Sequence, residues 1–188
     1  MKNKFRASWS VLSVWAKGDY NRAVKSYFKL EEYTSPQMEA GKDYHEKWQQ
    51  EILKTKCLPK VFGDKKLNDP KPEYKAVVQI ADWLELVGVI DCIDSPVLYE
   101  FKTGKSKTSE DYAGSWQTGI YGVLATFDKK FVDRAEIYHY DQYQKKADMS
   151  IRFITDKLLK DSLNWVMTQS GEMHNYLLQN DLYRRFGK

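Results

Sequence analysis

Cysteine is scarce in this chain. Only Cys57 and Cys92 occur in 188 residues, 35 positions apart. No Cys-x-x-Cys pair exists, which excludes a zinc ribbon and argues against a cysteine-held iron–sulfur cluster. A disulfide between the two stays open, and a reduced, cytosolic setting is the simpler expectation. Long apolar runs are also missing. Nothing approaches the ~20 apolar residues of a membrane span, so no membrane partner is expected. The stretch MKNKFRASWSVLSVWAKG starts basic and turns apolar. Its apolar part is short, is broken by serines and lacks a small-residue cleavage pattern, so it reads as mature sequence and not as a signal peptide. Internal repeats and low-complexity tracts are absent. An excess of one charge is nearly absent too: 30 Lys plus Arg stand against 26 Asp plus Glu, a net charge of +4. That balance permits nucleic-acid binding without demanding it.

What is present is a folding composition. Apolar residues make up 42% and charged residues 30%, which is globular and not disordered. The length suits one domain with a real core, residues 1–188. SWSVLSVWAKGDYNRAVKSYF has helical spacing, with Ser8 or Ser10 as a cap and Gly18 as a divider. Ser35 and Pro36 predict the start of a second helix, running through MEAGKDYHEKWQQEILK. CLPKVFGDKKLNDPKPEY reads as loop. AVVQIADW, ELVGVIDCI and VLYEFK predict three strands, the last two joined by a turn at Asp94-Ser95-Pro96. One helix is expected from Ser109 or Asp111 to Phe127, then strands RAEIYHYD and MSIRFITD, then a long helix that Gly171 can interrupt. The order αα-βββ-α-ββ-α predicts an α/β fold, a central mixed sheet flanked by helices.

The charges in VGVID and VLYEFK stand out. Glu100 and Lys102 share one face of their strand, and Phe101 faces the other. In the predicted hairpin, Asp91 falls roughly opposite the middle of VLYEFK, and a small register shift puts it beside Glu100. Two adjacent carboxylates repel, and a divalent cation between them removes that cost. Oxygen ligands favour Mg²⁺ or Mn²⁺. Lys102 can then contact water or a phosphate oxygen. This arrangement fits metal-assisted phosphodiester hydrolysis, although a solvated hairpin with a Glu–Lys pair has the same short pattern. The apolar runs around these charges predict strands buried on both faces, where charge is expensive and usually functional.

Five motifs, in order, carry a resemblance: Ser8-Trp9-Ser10-Val11-Leu12, Glu39-Ala40-Gly41-Lys42-Asp43-Tyr44-His45, Gly88-Val89-Ile90-Asp91, Glu100-Phe101-Lys102-Thr103-Gly104 and Gln117-Thr118-Gly119-Ile120-Tyr121. They match S-x-S-x-L, E-x-G-x-x-x-H, G-x-(I/V)-D, E-x-K-T-G and Q-x-x-x-Y. The set resembles the PD-(D/E)XK nuclease superfamily, which has a restriction-endonuclease-like core. It is most similar to the RecB-like branch, which includes small CRISPR-associated exonucleases. The resemblance implies His45, Asp91, Glu100 and the Phe101 backbone carbonyl as metal ligands and Lys102 as the catalytic lysine. It implies that Gln117 and Tyr121 support the site and touch the DNA strand. Gly41 and His45 share a helix face, as do Gln117 and Tyr121. His139 and His174 receive no role.

The sequence departs from cluster-bearing relatives at Trp15-Ala16-Lys17-Gly18, where a Cys-Pro would be expected, so no iron–sulfur cluster is expected. TGKS at 103–106 resembles the end of a phosphate-binding P-loop, but that motif's first glycine would fall at Tyr99. The expectation is therefore a Mg²⁺- or Mn²⁺-dependent deoxyribonuclease of the cytoplasm or another nucleic-acid-containing compartment. It would be an exonuclease on single-stranded DNA, ends or flaps, and a helicase or recombination factor is a possible partner. A structure-specific endonuclease and a catalytically silent DNA-binding or scaffold protein of the same fold are the alternatives. Six Trp and 13 Tyr offer stacking surfaces for unpaired bases, though most belong in a core.

Overall fold

The run from Lys71 to Asp94 sets the centre of the molecule. The computed structural model describes residues 4–31, 34–105 and 107–187, and of Gln37 only the backbone. Met1–Asn3 of the basic N-terminal stretch and Ser106 of TGKS lie outside the described residues. Strands β2 (Lys71–Ala81) and β3 (Leu84–Asp94) form a long antiparallel hairpin, with Lys71 opposite Ile93 and Ala81 opposite Leu84. Both exceed the apolar runs that announce them, because ladder pairing continues through polar Lys71–Lys75. Strand β4 (Val97–Thr103) follows a turn at a cis Ser95–Pro96 bond and pairs with β3 only from Cys92↔Tyr99 to Asp94↔Val97. It then runs parallel to β5 (Arg134–Asp141), whose other edge carries β6 (Lys146–Phe153).

A first strand, β1 (Phe5–Ser8), is not anticipated from the sequence; its four residues precede the helical period. It pairs parallel to β3 from Leu84 to Val87, giving a mixed six-stranded sheet. A strand has two edges. β2 fills one edge of β3, while β1 and β4 share the other at opposite ends, so that residues 88–91 have no strand beside them there.

Gly18, at φ +82°, divides α1 (Trp9–Trp15) from α2 (Tyr20–Tyr27) as expected. Helix α3 (Pro36–Thr55) starts as predicted: Ser35 Oγ accepts the Met38 N–H at 3.2 Å, with Pro36 in first position. The single helix expected over 109–127 is two, α4 (Ser109–Ala113) and α5 (Trp116–Phe127). The Arg152 guanidinium takes the carbonyls of Ala113 and Ser115 at 2.5 and 2.6 Å, which removes them from a continuous helical ladder. Gly171 interrupts nothing: α6 (Asp156–Gln179) passes through it, and α7 (Leu182–Phe186) follows a break at Asp181, φ +54°.

Each face of the sheet has its own core. Leu98 and Ile90 join Leu12, Ile120, Leu124 and Val166 beneath α1, α5 and α6. Cys92, Tyr99, Phe101 and Tyr138 pack with Trp48 and Ile52 of α3. Cys57 and Cys92 are free thiols, and burial, aided by the Asp94 charge, pushes Cys92 up to about 12. β4 is buried on both faces through Phe101, as predicted. VGVID is not: Val89 is 40% exposed, and Val77, diagonal to it on β2, is 57% exposed. No helix among the described residues is long and apolar enough to cross a membrane. Trp48 touches Phe62, Phe101, Tyr140 and His45, so Trp48→Ala is expected to cost about 3–5 kcal/mol of stability, read as a lower midpoint in urea unfolding.

Candidate active site

The β3–β4 ladder stops at Cys92↔Tyr99, and the next pair in register is Asp91 and Glu100. Their side chains therefore meet where the two strands part. No register shift is needed to bring them together. Asp91 also marks a change of layer, since Ile90 belongs to the larger core and Cys92 to the smaller. In place of a ladder bond, Asp91 Oδ2 accepts the Phe101 N–H at 2.8 Å. In a strand the N–H and C=O of one residue point to the same edge, so the Phe101 carbonyl faces this opening as well.

Glu100 is fully buried. Apart from the Lys102 ammonium, 3.2 Å from Oε2, neither carboxylate oxygen has a hydrogen-bond donor among the described residues. A carboxylate held this way is costly, because desolvation is only partly offset. Lys102 donates to Gln117 Oε1 at 3.1 Å, and Gln117 Nε2 donates to Tyr121 Oη at 2.8 Å. The amide thereby fixes the lysine, and the predicted Gln–Tyr pair faces the site. Burial pushes the Lys102 pKa down, but the Glu100 and Asp91 carboxylates outweigh it and hold the amine above its usual range. Burial, with the Asp91 charge, pushes Tyr121 up to about 12, so its phenol stays protonated at neutral pH.

Two glycines explain how the helices reach the strands. A Cβ on Gly88 would lie 2.5 Å from Leu124 Cδ1, so its absence lets α5 lie close to β3 and brings Tyr121 alongside. A Cβ on Gly41 would lie 3.1 Å from Thr103 Oγ1, so α3 sits hard against the end of β4. One turn on, His45 Nδ1 stands 3.6 Å from Asp91 Oδ1, farther apart than a hydrogen bond. The seven predicted positions thus converge on one opening, with His45 at its rim and Glu100 at its floor.

Three features escape sequence reading. Arg152 reaches the α4–α5 junction on the face of Glu100; burial holds its pKa below the usual arginine range, and the Glu100 charge offsets this only in part. Tyr112 places its ring 5.9 Å from Lys102 Nζ. His139 is buried, with Nδ1 2.8 Å from Asp148 and Nε2 3.2 Å from the Gly104 carbonyl, and so anchors the chain leaving β4. The contacts of Arg152 and His139 depend on the β5–β6 register, which carries no local signal. His174 stacks on Trp83 and contacts Tyr183 Oη at 2.6 Å, away from this opening.

The donor set suits a hard divalent cation: two carboxylates, one carbonyl and one imidazole. Glu100 has oxygens without donors to offer. Among the described residues, no three His, Cys, Asp or Glu side chains already form a closed metal-holding group. The donors follow one another along the opening, His45 beside Asp91 and Asp91 across from Glu100.

The lysine's state is testable. Its extra stability is fully present below the ordinary lysine pKa and is lost as pH rises through the higher folded value. In Glu100→Gln the opposing carboxylate is gone and burial acts more strongly. The NMR midpoint for deprotonation of the Lys102 side chain is then expected to fall. An unchanged midpoint would show that Glu100 does not hold the charge.

A model of the PD-(D/E)XK nuclease superfamily matches residues 11–183. No curated protein matches the sequence. Among solved structures, the alkaline exonuclease LHK-Exo of Laribacter hongkongensis superimposes with a TM-score of 0.61 at 10% identity, covering 96% of this chain and 92% of that one. The same enzyme in complex with dAMP gives 0.56 at 10% identity, over 95% and 92%. An inferred exonuclease from Eubacterium rectale gives 0.56 at 13% identity, over 93% and 82%. At such identities the structures attest the fold, and the family match covers most of the chain. The chain belongs to the PD-(D/E)XK nuclease superfamily.

Proposed function

We propose that residues 1–188 form one RecB-like nuclease domain. It hydrolyses DNA phosphodiester bonds with Mg²⁺ or Mn²⁺, as an exonuclease on single strands, ends or flaps. The observation that carries this reading is Glu100, a buried carboxylate short of donors beside a charged lysine, in a chain of a nuclease superfamily. Nucleases of this superfamily generally use divalent metal ions. Here Asp91, Glu100, His45 and the Phe101 carbonyl would hold the ion. The cation would supply Lewis acidity and a water of lowered pKa.

The protein's own groups do the rest. Lys102 stays protonated at neutral pH, so it serves as a donor and not as a base. Its ammonium can orient the attacking water and offset charge that develops on the phosphate oxygens. Gln117 keeps that ammonium aimed, because its carbonyl is occupied by Lys102 and its NH₂ by Tyr121. The Tyr121 hydroxyl proton is left to donate toward substrate. The Phe101 N–H holds Asp91 Oδ2 and leaves Oδ1 turned toward His45. Retention of Asp91, Glu100 and Lys102 together favours catalysis over a silent scaffold. The dAMP found with LHK-Exo is consistent with a deoxyribonucleotide product here.

Single strands labelled at either end, incubated with Mg²⁺, Mn²⁺ or EDTA, test the reading. Mononucleotides should accumulate from one end before internal fragments, and only with metal. Glu100→Gln and Lys102→Met should each lower the rate by at least ~10²-fold. Cleavage that persists in EDTA, or in Glu100→Gln protein, contradicts it; early internal fragments would instead indicate an endonuclease.

A further inference from the structure

The Ser8–Leu12 motif and the bare face of the β2–β3 hairpin play no part in the chemistry above, yet they share one cavity. Its volume is about 490 Å³. Gln117 and Tyr121 line one end, so the cavity adjoins the candidate active site. The floor is the exposed apolar side of the hairpin, Val77 and Val89. Ser8, Trp9 and Ser10 form the opposite wall. The Ser8 and Ser10 hydroxyls lie 3.1 Å apart, and Ser8 makes no helix-capping bond, so the pair keeps a proton to donate. Lys75 stands at the margin with no ion-pair partner among the described residues.

Past Ser8, Ser10 and Val87 the groove continues into a second cavity of about 640 Å³, whose wall carries Lys4, Arg6 and Lys29. Glu85 pairs with both Lys4 (3.5 Å) and Arg6 (3.4 Å), so one acid offsets two bases and the wall stays positive. Behind Trp9 the indoles continue: Trp165 lies 5.8 Å from it and stacks at 5.9 Å on Trp116, which is 39% exposed.

We propose that this groove binds an unpaired strand of nucleic acid next to the scissile phosphate. The proposal rests on the nuclease reading for the identity of the site at its end. Bases would lie on Val77, Val89 and Trp9. Phosphates would meet the Ser8–Ser10 hydroxyls, Lys75 and the basic wall beyond. Apolar floor and basic margin together favour a single strand, which presents base faces and phosphates side by side. A duplex buries its base faces and offers phosphates first. The groove then selects frayed or single-stranded ends before chemistry begins.

Fluorescence anisotropy in EDTA tests this with the full chain, a labelled oligothymidine strand and a blunt duplex of equal length, over a salt series. The probe variant is Lys75→Glu/Val77→Glu, both at exposed positions, with its fold checked by circular dichroism. Single-strand affinity should fall by about tenfold or more, and its salt slope by about one, while the duplex changes far less. Wild-type affinity for the single strand in the variant, or equal losses for strand and duplex, would overturn the groove. Should wild-type protein bind the strand, lose that binding in the variant and yet cleave under neither metal, the groove stands and the nuclease reading falls.

Discussion

Glu100 is the constraint around which the site is built. A carboxylate with no exposed surface, two oxygens and one ammonium partner spends stability that the core must supply. The sheet tolerates it because β4 is clamped by β5 along its whole length and sits between two cores. The same clamp fixes Lys102 beside it. Both carboxylates steady the lysine's charge, and the lysine in turn keeps Glu100 from being wholly unpaired. Such a cluster is poorly suited to stability alone and well suited to a site awaiting a cation and a phosphate.

The opening between β3 and β4 converts that constraint into geometry. Had the ladder continued one pair further, Asp91 and Glu100 would have been ordinary cross-strand neighbours. Instead the strands part, and Asp91 satisfies the Phe101 N–H with its own side chain. Helices α3 and α5 close on this opening from opposite layers, each admitted by a glycine. Because β1 pairs only with the first four residues of β3, the edge at residues 88–91 stays open next to the site, and Val77 and Val89 on the neighbouring hairpin face are exposed. The candidate site and the adjoining groove thus both border the same incompletely paired edge of β3.

Much of this was legible in the sequence. Alternation in VLYEFK correctly separated Glu100 and Lys102 from Phe101, and the i, i+4 spacing correctly paired Gln117 with Tyr121. Ser35-Pro36 marked the start of α3, and Gly18 the division of α1 from α2. What failed was what depends on distant partners. The break between α4 and α5 is imposed by Arg152, almost 40 residues away in the chain. β1 exists because β3 offers an edge, which no four-residue run reveals. His139 looked idle because its partners, Gly104 and Asp148, are brought to it by sheet register. Gly171 looked like a breaker, but a single interior glycine costs a helix only about 1 kcal/mol against alanine, and the 24-residue α6 carries it.

The central claim is that Glu100 and Asp91 are held ready for a divalent cation, and thermal unfolding across a Mn²⁺ titration tests it without a substrate. Wild-type protein should gain stability steadily with metal, by about 2.7 kcal/mol at a hundredfold excess over its dissociation constant. Asp91→Asn and Glu100→Gln should show little of that gain. An identical gain in the variants, or none in the wild type at millimolar Mn²⁺, would contradict the account.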